Sequence, residues 1–160
     1  MSLFLKGLNF AAGRMPKVLN PTAHAVLDYV VAGSFLAMGA VFWKKQKRAA
    51  ISSFVCGGAA ITNSLLTDYP GGVFKVMSYK NHGRVDAGLI GLSSAMPRFM
   101  GFEGEPEGRF FGIAAMAETT VVGLTDFDYY EDASHGRLRS RDDEAGPPQT
   151  LESRSRRRSG

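Results

Sequence analysis

The sequence predicts an all-α protein, a four-helix transmembrane bundle made of two parallel two-helix repeats and followed by a disordered C-terminal tail. Three observations carry this expectation: long apolar runs that end by Phe127, a repetition at a fixed offset that carries His24 onto His82, and a polar, charge-rich composition after the second copy.

Ala25 to Trp43 is a run of nineteen residues with one charge, Asp28, and Ala49 to Thr67 is a run of nineteen with none. As a helix each is about 28 Å long, enough to cross the hydrocarbon core of a bilayer. Val85 to Phe102 is interrupted by Asp86 and Arg98, and Phe110 to Thr125 by Glu118. Taken alone, either of these two segments reads equally as a buried helix of a soluble bundle. As spans they place the charges of the third segment near its ends, within reach of water, and leave Glu118 central and costly.

The repeat is polar as well as apolar. At the one fixed offset His24 matches His82, Asp28 matches Asp86, Gly33 matches Gly91, and Leu66-Thr67-Asp68 matches Leu124-Thr125-Asp126. An ungapped register joining His-x-x-x-Asp to Leu-Thr-Asp indicates duplication. Each copy holds two spans, so both copies enter the membrane in the same direction, related by an axis along its normal. The expected organisation is an amphipathic interfacial segment over 1–20, a four-span domain over 21–127 with units 21–78 and 79–127, and a disordered polar tail over 128–160.

The connections fit. Lys44-Lys45-Gln46-Lys47-Arg48 is a basic turn, Tyr69-Pro70-Gly71-Gly72 ends the second span, and 101–108 joins the last two. Basic residues near the spans divide evenly between the two sides. Arg137, Arg139 and Arg141 then favour both termini in the cytoplasm, and a bacterial inner membrane is the expected location. The formal charge of +4 is spread over connections and tail rather than a groove, so lipid headgroups rather than nucleic acid are the expected partners, with a membrane protein or a second copy as a further one. A single cysteine, Cys56, excludes an intrachain disulfide and a four-cysteine metal site.

Six ionisable residues fall on one side of the membrane in this plan: His24, Asp28 and Asp68 from the first unit, His82, Asp86 and Asp126 from the second. Each histidine stands four residues before an aspartate, on one helical face. A purely structural role has His24 and His82 tying down Asp68 and Asp126, which lie at unfavourable helix C-termini. Three functional roles compete with it. The six residues are suitable ligands for zinc or iron. His24 and His82 are candidate axial ligands of a haem, if their rings face one another across a porphyrin. The carboxylates are the candidate mouth of a proton or ion path, with Glu118 deeper inside. Glu118 breaks the repeat, since its counterpart is Ala60. Gly33, Gly39, Gly57, Gly58, Gly88, Gly91 and Gly112 are expected to allow close helix approach. With no phosphate loop, nucleophile elbow or zincin motif, a membrane scaffold or accessory subunit without catalysis of its own is the expected function.

The stretch Gly91-Leu92-Ser93-Ser94-Ala95-Met96-Pro97-Arg98-Phe99, followed by Gly101-Phe102, resembles the repeat of small bacterial membrane proteins of the SPW type. It separates Ser from Pro and lacks the Trp, and the first copy, Gly33 to Gly39, has no Pro. The resemblance implies membrane topology and no catalytic residue.

Overall fold

The structure, a computed structural model, describes residues 15–130. The chain divides into two units, Met1–Phe127 and Asp128–Gly160. Most of the expected interfacial segment and nearly all of the expected tail lie outside the described residues.

Among the described residues the first unit contains four helices: α1 (Pro21–Phe42), α2 (Lys47–Leu66), α3 (Tyr79–Phe99) and α4 (Pro106–Leu124). Their starts follow from side-chain chemistry. Asn20 Oδ1 accepts from the Ala23 amide at 2.9 Å, and Ser78 Oγ accepts from the Asn81 amide at 3.3 Å. Asn20 and Ser78 are repeat-related, and each fills one of the unsatisfied donors of a first turn. Pro21 and Pro106 stand at the first positions of their helices, where a missing N–H costs nothing. α2 and α4 both end on a threonine with extended backbone, Thr67 and Thr125.

The helices form a bundle of two strongly packed pairs, α1 with α2 and α3 with α4, in agreement with the two-helix repeat. The duplication is visible in the backbone. Leu19 bridges Thr125, and Thr67 bridges Met77; the offset that carries Leu19 to Met77 also carries Thr67 to Thr125. The units are therefore interlocked, each one's entry paired with the other's exit. The starts of α1 and α3 and the ends of α2 and α4 meet at one end of the bundle.

The apolar core lies in the rest of the bundle. Phe35, Phe42, Phe102 and Phe111 are buried together, with edge-to-face contacts of 5.7 Å between Phe35 and Phe111 and 5.4 Å between Phe102 and Phe111. Gln46 and Arg48 both meet the Glu105 carboxylate, joining the α1–α2 turn to the start of α4.

Of the glycines expected to permit close packing, Gly39 and Gly57 do so, whereas Gly33, Gly58, Gly88, Gly91 and Gly112 face open space. A Cβ on Gly57 would stand 3.0 Å from the Ala32 carbonyl oxygen and from Phe35 Cβ. Gly57→Ala should force α1 and α2 apart and destabilise by about 1–3 kcal/mol, while Gly58→Ala, with open space before it, should be neutral or stabilise by up to about 1 kcal/mol. Thermal unfolding of the two variants checks this, and equal losses would count against the packing described.

By length and composition, α1 and α2 are apolar enough to cross a membrane.

Candidate metal centre

His24 and His82 stand at the first turns of α1 and α3, where the interlocked ends bring them together. Both are fully buried. Their Nε2 atoms face each other at 3.0 Å. Asp28 and Asp86, one turn further along each helix, close the group. His24 Nε2 lies 3.3 Å from Asp28 Oδ1 and 3.3 Å from Asp86 Oδ2; His82 Nε2 lies 3.1 Å from Asp28 Oδ2 and 3.0 Å from Asp86 Oδ2.

The proton positions follow from the threonines. Thr125 Oγ1 lies 2.9 Å from His24 Nδ1, and Thr67 Oγ1 lies 2.8 Å from His82 Nδ1. Each hydroxyl spends its one proton on its own helix, Thr67 on the Asn63 carbonyl at 2.7 Å and Thr125 on the Val121 carbonyl at 2.6 Å. Toward histidine the hydroxyl can then only accept, so Nδ1 of each ring carries the proton. In a neutral imidazole that leaves Nε2 with a lone pair. Nε2 of each ring is then the atom that changes: it offers a lone pair when the ring is neutral and donates to the carboxylates when the ring is protonated, and the two Nε2 atoms face one another across 3.0 Å beside Asp28 and Asp86.

Asp86 Oδ2 reports the same arrangement. It is buried and makes no hydrogen bond, although it lies 3.0 Å from His82 Nε2. An oxygen so placed pairs with a protonated ring or, with both rings neutral, shares a cation with them. The other oxygen, Oδ1, accepts from Asn63 Nδ2 at 2.8 Å. Asp28 Oδ2 accepts from the Tyr69 hydroxyl at 2.9 Å. Burial, reinforced by the Asp28 carboxylate, raises the Tyr69 phenol above its ordinary range, which keeps it a donor.

One atom from each of His24, Asp28, His82 and Asp86 lies within 4.8 Å of the other three. An ion with four or five ligands at about 2.0–2.1 Å holds neighbouring ligand atoms about 2.9–3.4 Å apart. His24 Nε2, His82 Nε2 and Asp86 Oδ2 stand 3.0, 3.0 and 3.3 Å apart, within that spacing, and Asp28 approaches His24 through Oδ1 at 3.3 Å and His82 through Oδ2 at 3.1 Å. The threonines stand where the outer partners that orient a metal-bound imidazole would stand. Aromatic rings wall the site: Tyr69 stacks on Tyr79 at 5.7 Å, and Phe127 meets His24 edge-to-face at 5.1 Å. Gly83 makes room for Phe127, whose ring would lie 2.8 Å from any Cβ there.

This cluster overturns the expectation of a scaffold without chemistry of its own. Two histidines and two aspartates converging at the junction of the repeats form a potential binding site, which a purely structural bundle does not require. Asp68 lies away from them, largely exposed and 3.5 Å from Lys75 Nζ, so it does not tie down His24. Asp126 is outside the donor set; its amide reaches the Leu19 carbonyl at 3.5 Å. Glu118 lies deeper and accepts from Ser93 Oγ at 3.1 Å. A haem does not fit between His24 and His82, because Asp28 and Asp86 fill the plane that the macrocycle would need. The partners that charge pattern alone overlooked are Thr67 and Thr125, although both belong to the repeated Leu-Thr-Asp.

Thr67→Val and Thr125→Val should each weaken metal binding about 10- to 100-fold, and by equal amounts, since the two are related by the repeat. Competition titration against a chromophoric chelator measures both; a large effect at one threonine alone would contradict the two-fold arrangement.

Comparison with protein-family models, with curated proteins and with solved structures gives no match, so the function rests on the site's own geometry.

Proposed function

We propose that the protein is a membrane-embedded binder of a divalent transition metal, held by Nε2 of His24 and His82 and by the carboxylates of Asp28 and Asp86. The convergence of both Nε2 atoms and both carboxylates at 3.0–3.3 Å carries this reading. A divalent cation placed among them takes the place of any proton on Nε2 and cancels the two carboxylate charges, which leaves a neutral complex suited to a low-dielectric interior. Two imidazoles with two carboxylates suit zinc, iron(II), cobalt(II) or manganese(II).

The surface supports the bilayer. Val30, Phe99, Ile113 and Met116 are 61 %, 82 %, 65 % and 68 % exposed, while Ser52, Ser53, Asn63, Ser64 and Ser93 are buried. Apolar outside and polar inside is the distribution expected where lipid is the solvent. With all four helices as spans, the metal site lies near one face of the bilayer. The basic residues beyond the fourth span favour the cytoplasmic face.

Elemental analysis of detergent-purified full-length protein tests the assignment. One zinc, iron, cobalt or manganese ion per chain is expected, removable by a chelator and restored by the metal salt. Protein that stays in carbonate-washed membranes but takes up none of these ions would overturn the metal reading; protein released by the wash would overturn the membrane one.

A further inference from the structure

A cavity of about 30 Å³ lies on the bundle axis beside the donor cluster, its wall drawn from all four helices and including Asp28, Ser64, Asp86 and Glu118. That is room for one or two water molecules, and these four side chains supply the two to four polar partners an internal water requires. Asp28 and Asp86 belong both to the donor set and to the cavity wall. The carboxylate side of the cluster is therefore the side that opens on the cavity.

The duplication provides an internal control for the far wall. Ser93 and Glu118 stand where the first unit has Phe35 and Ala60, so the two-fold that relates histidines, aspartates and threonines does not relate this pair. Phe35 is a buried part of the apolar core, which shows that the bundle packs without a polar pair at such positions. A carboxylate among helices is unfavourable unless it is hydrogen-bonded. Among the described residues, the Glu118 side chain has one hydrogen bond, from Ser93.

We propose that the cavity holds a water molecule bound to the metal of the His24–Asp28–His82–Asp86 centre, and that Glu118 accepts a hydrogen bond from that water, which makes the centre an open one. The inference rests on the metal assignment above and extends it. Four protein ligands with a closed surround make a structural site, whereas a position left to solvent marks a centre able to take an exogenous ligand. Here the ligand is limited by the cavity to the size of water, hydroxide or a similarly small molecule. The two aspartates already balance a divalent ion, so Glu118 serves the water rather than the metal and is a positioning residue.

Cobalt(II) titrated into the full-length metal-free protein provides the test, because four-coordinate cobalt absorbs visible light several-fold more strongly than five-coordinate cobalt. The wild type should bind one equivalent with the weak five-coordinate spectrum. Glu118→Leu, which fills the cavity and removes the acceptor, should bind cobalt with a spectrum at least about twofold more intense. Glu118→Gln keeps the size and the Ser93 contact, guards against misfolding of the leucine variant, and should weaken cobalt binding about 10-fold. Stoichiometric binding by the wild type with a four-coordinate spectrum would overturn the open centre and leave the metal assignment standing. A Glu118→Leu spectrum equal to that of the wild type, or unchanged affinity in Glu118→Gln, would do the same. No cobalt binding by the wild type, with zinc and manganese equally unbound, would overturn both.

Discussion

His24→Ala and His82→Ala should each abolish stoichiometric metal binding under conditions that saturate the wild type. Zinc bound at a protein site with four ligands is worth about 10–16 kcal/mol, so one ligand contributes about 3 kcal/mol, which is a loss of about 100-fold or more in affinity. The same change has a second consequence. Asp28 and Asp86 each lie 3.0–3.3 Å from a histidine nitrogen. Truncating one ring leaves partly buried carboxylates short of a partner and should destabilise the metal-free bundle by about 3 kcal/mol. Added imidazole separates coordination from packing, since it refills the vacated position. Recovery of metal binding in its presence is expected for both variants, and failure of imidazole to restore any binding to a correctly folded variant would argue that the rings are structural.

Metal should also stabilise the bundle, and only through these four side chains. At free zinc one hundred times its dissociation constant, the folded state gains about 2.7 kcal/mol by mass action. In the double variant Asp28→Asn, Asp86→Asn the ion's charge is no longer balanced, and the gain should vanish. Detergent-denaturation curves with and without zinc, recorded on both proteins, give the comparison. An equal zinc-dependent shift in both would place the metal elsewhere on the chain.

Much of this architecture is legible in the sequence because duplication prints it twice. The fixed offset between the copies picks out His24 with His82 and Asp28 with Asp86, and the four-residue spacing already puts each pair on one helical face. What the sequence does not contain is how the units close on each other. Hairpin logic places Asp68 beside His24, since both belong to the first unit. The parallel bridges Leu19–Thr125 and Thr67–Met77 instead cross the units over, bringing Thr125 to His24 and Thr67 to His82 and leaving Asp68 near Lys75. Charge drew attention to the wrong member of each Thr-Asp pair. A hydroxyl that donates to its own helix and accepts from a ring is a weaker signal than a carboxylate, although here it fixes the tautomer. The cavity was equally hidden, because it depends on side chains from all four helices and on no local spacing.

The crossed closure also bears on ancestry. A single hairpin of this kind carries one histidine, one aspartate and a threonine that reaches only the histidine of another hairpin. Alone it has half a ligand set; as a symmetric homodimer it has the whole of one, with each chain orienting the other's imidazole in trans. A freestanding hairpin could therefore have bound metal before any gene fusion. Glu118 could not have arisen in that ancestor as it stands now. In a homodimer every residue occurs twice, and two such carboxylates would have faced a cavity of about 30 Å³ already bordered by two aspartates. In a single polypeptide the two positions are independent, and alanine at position 60 stands with an acid at position 118.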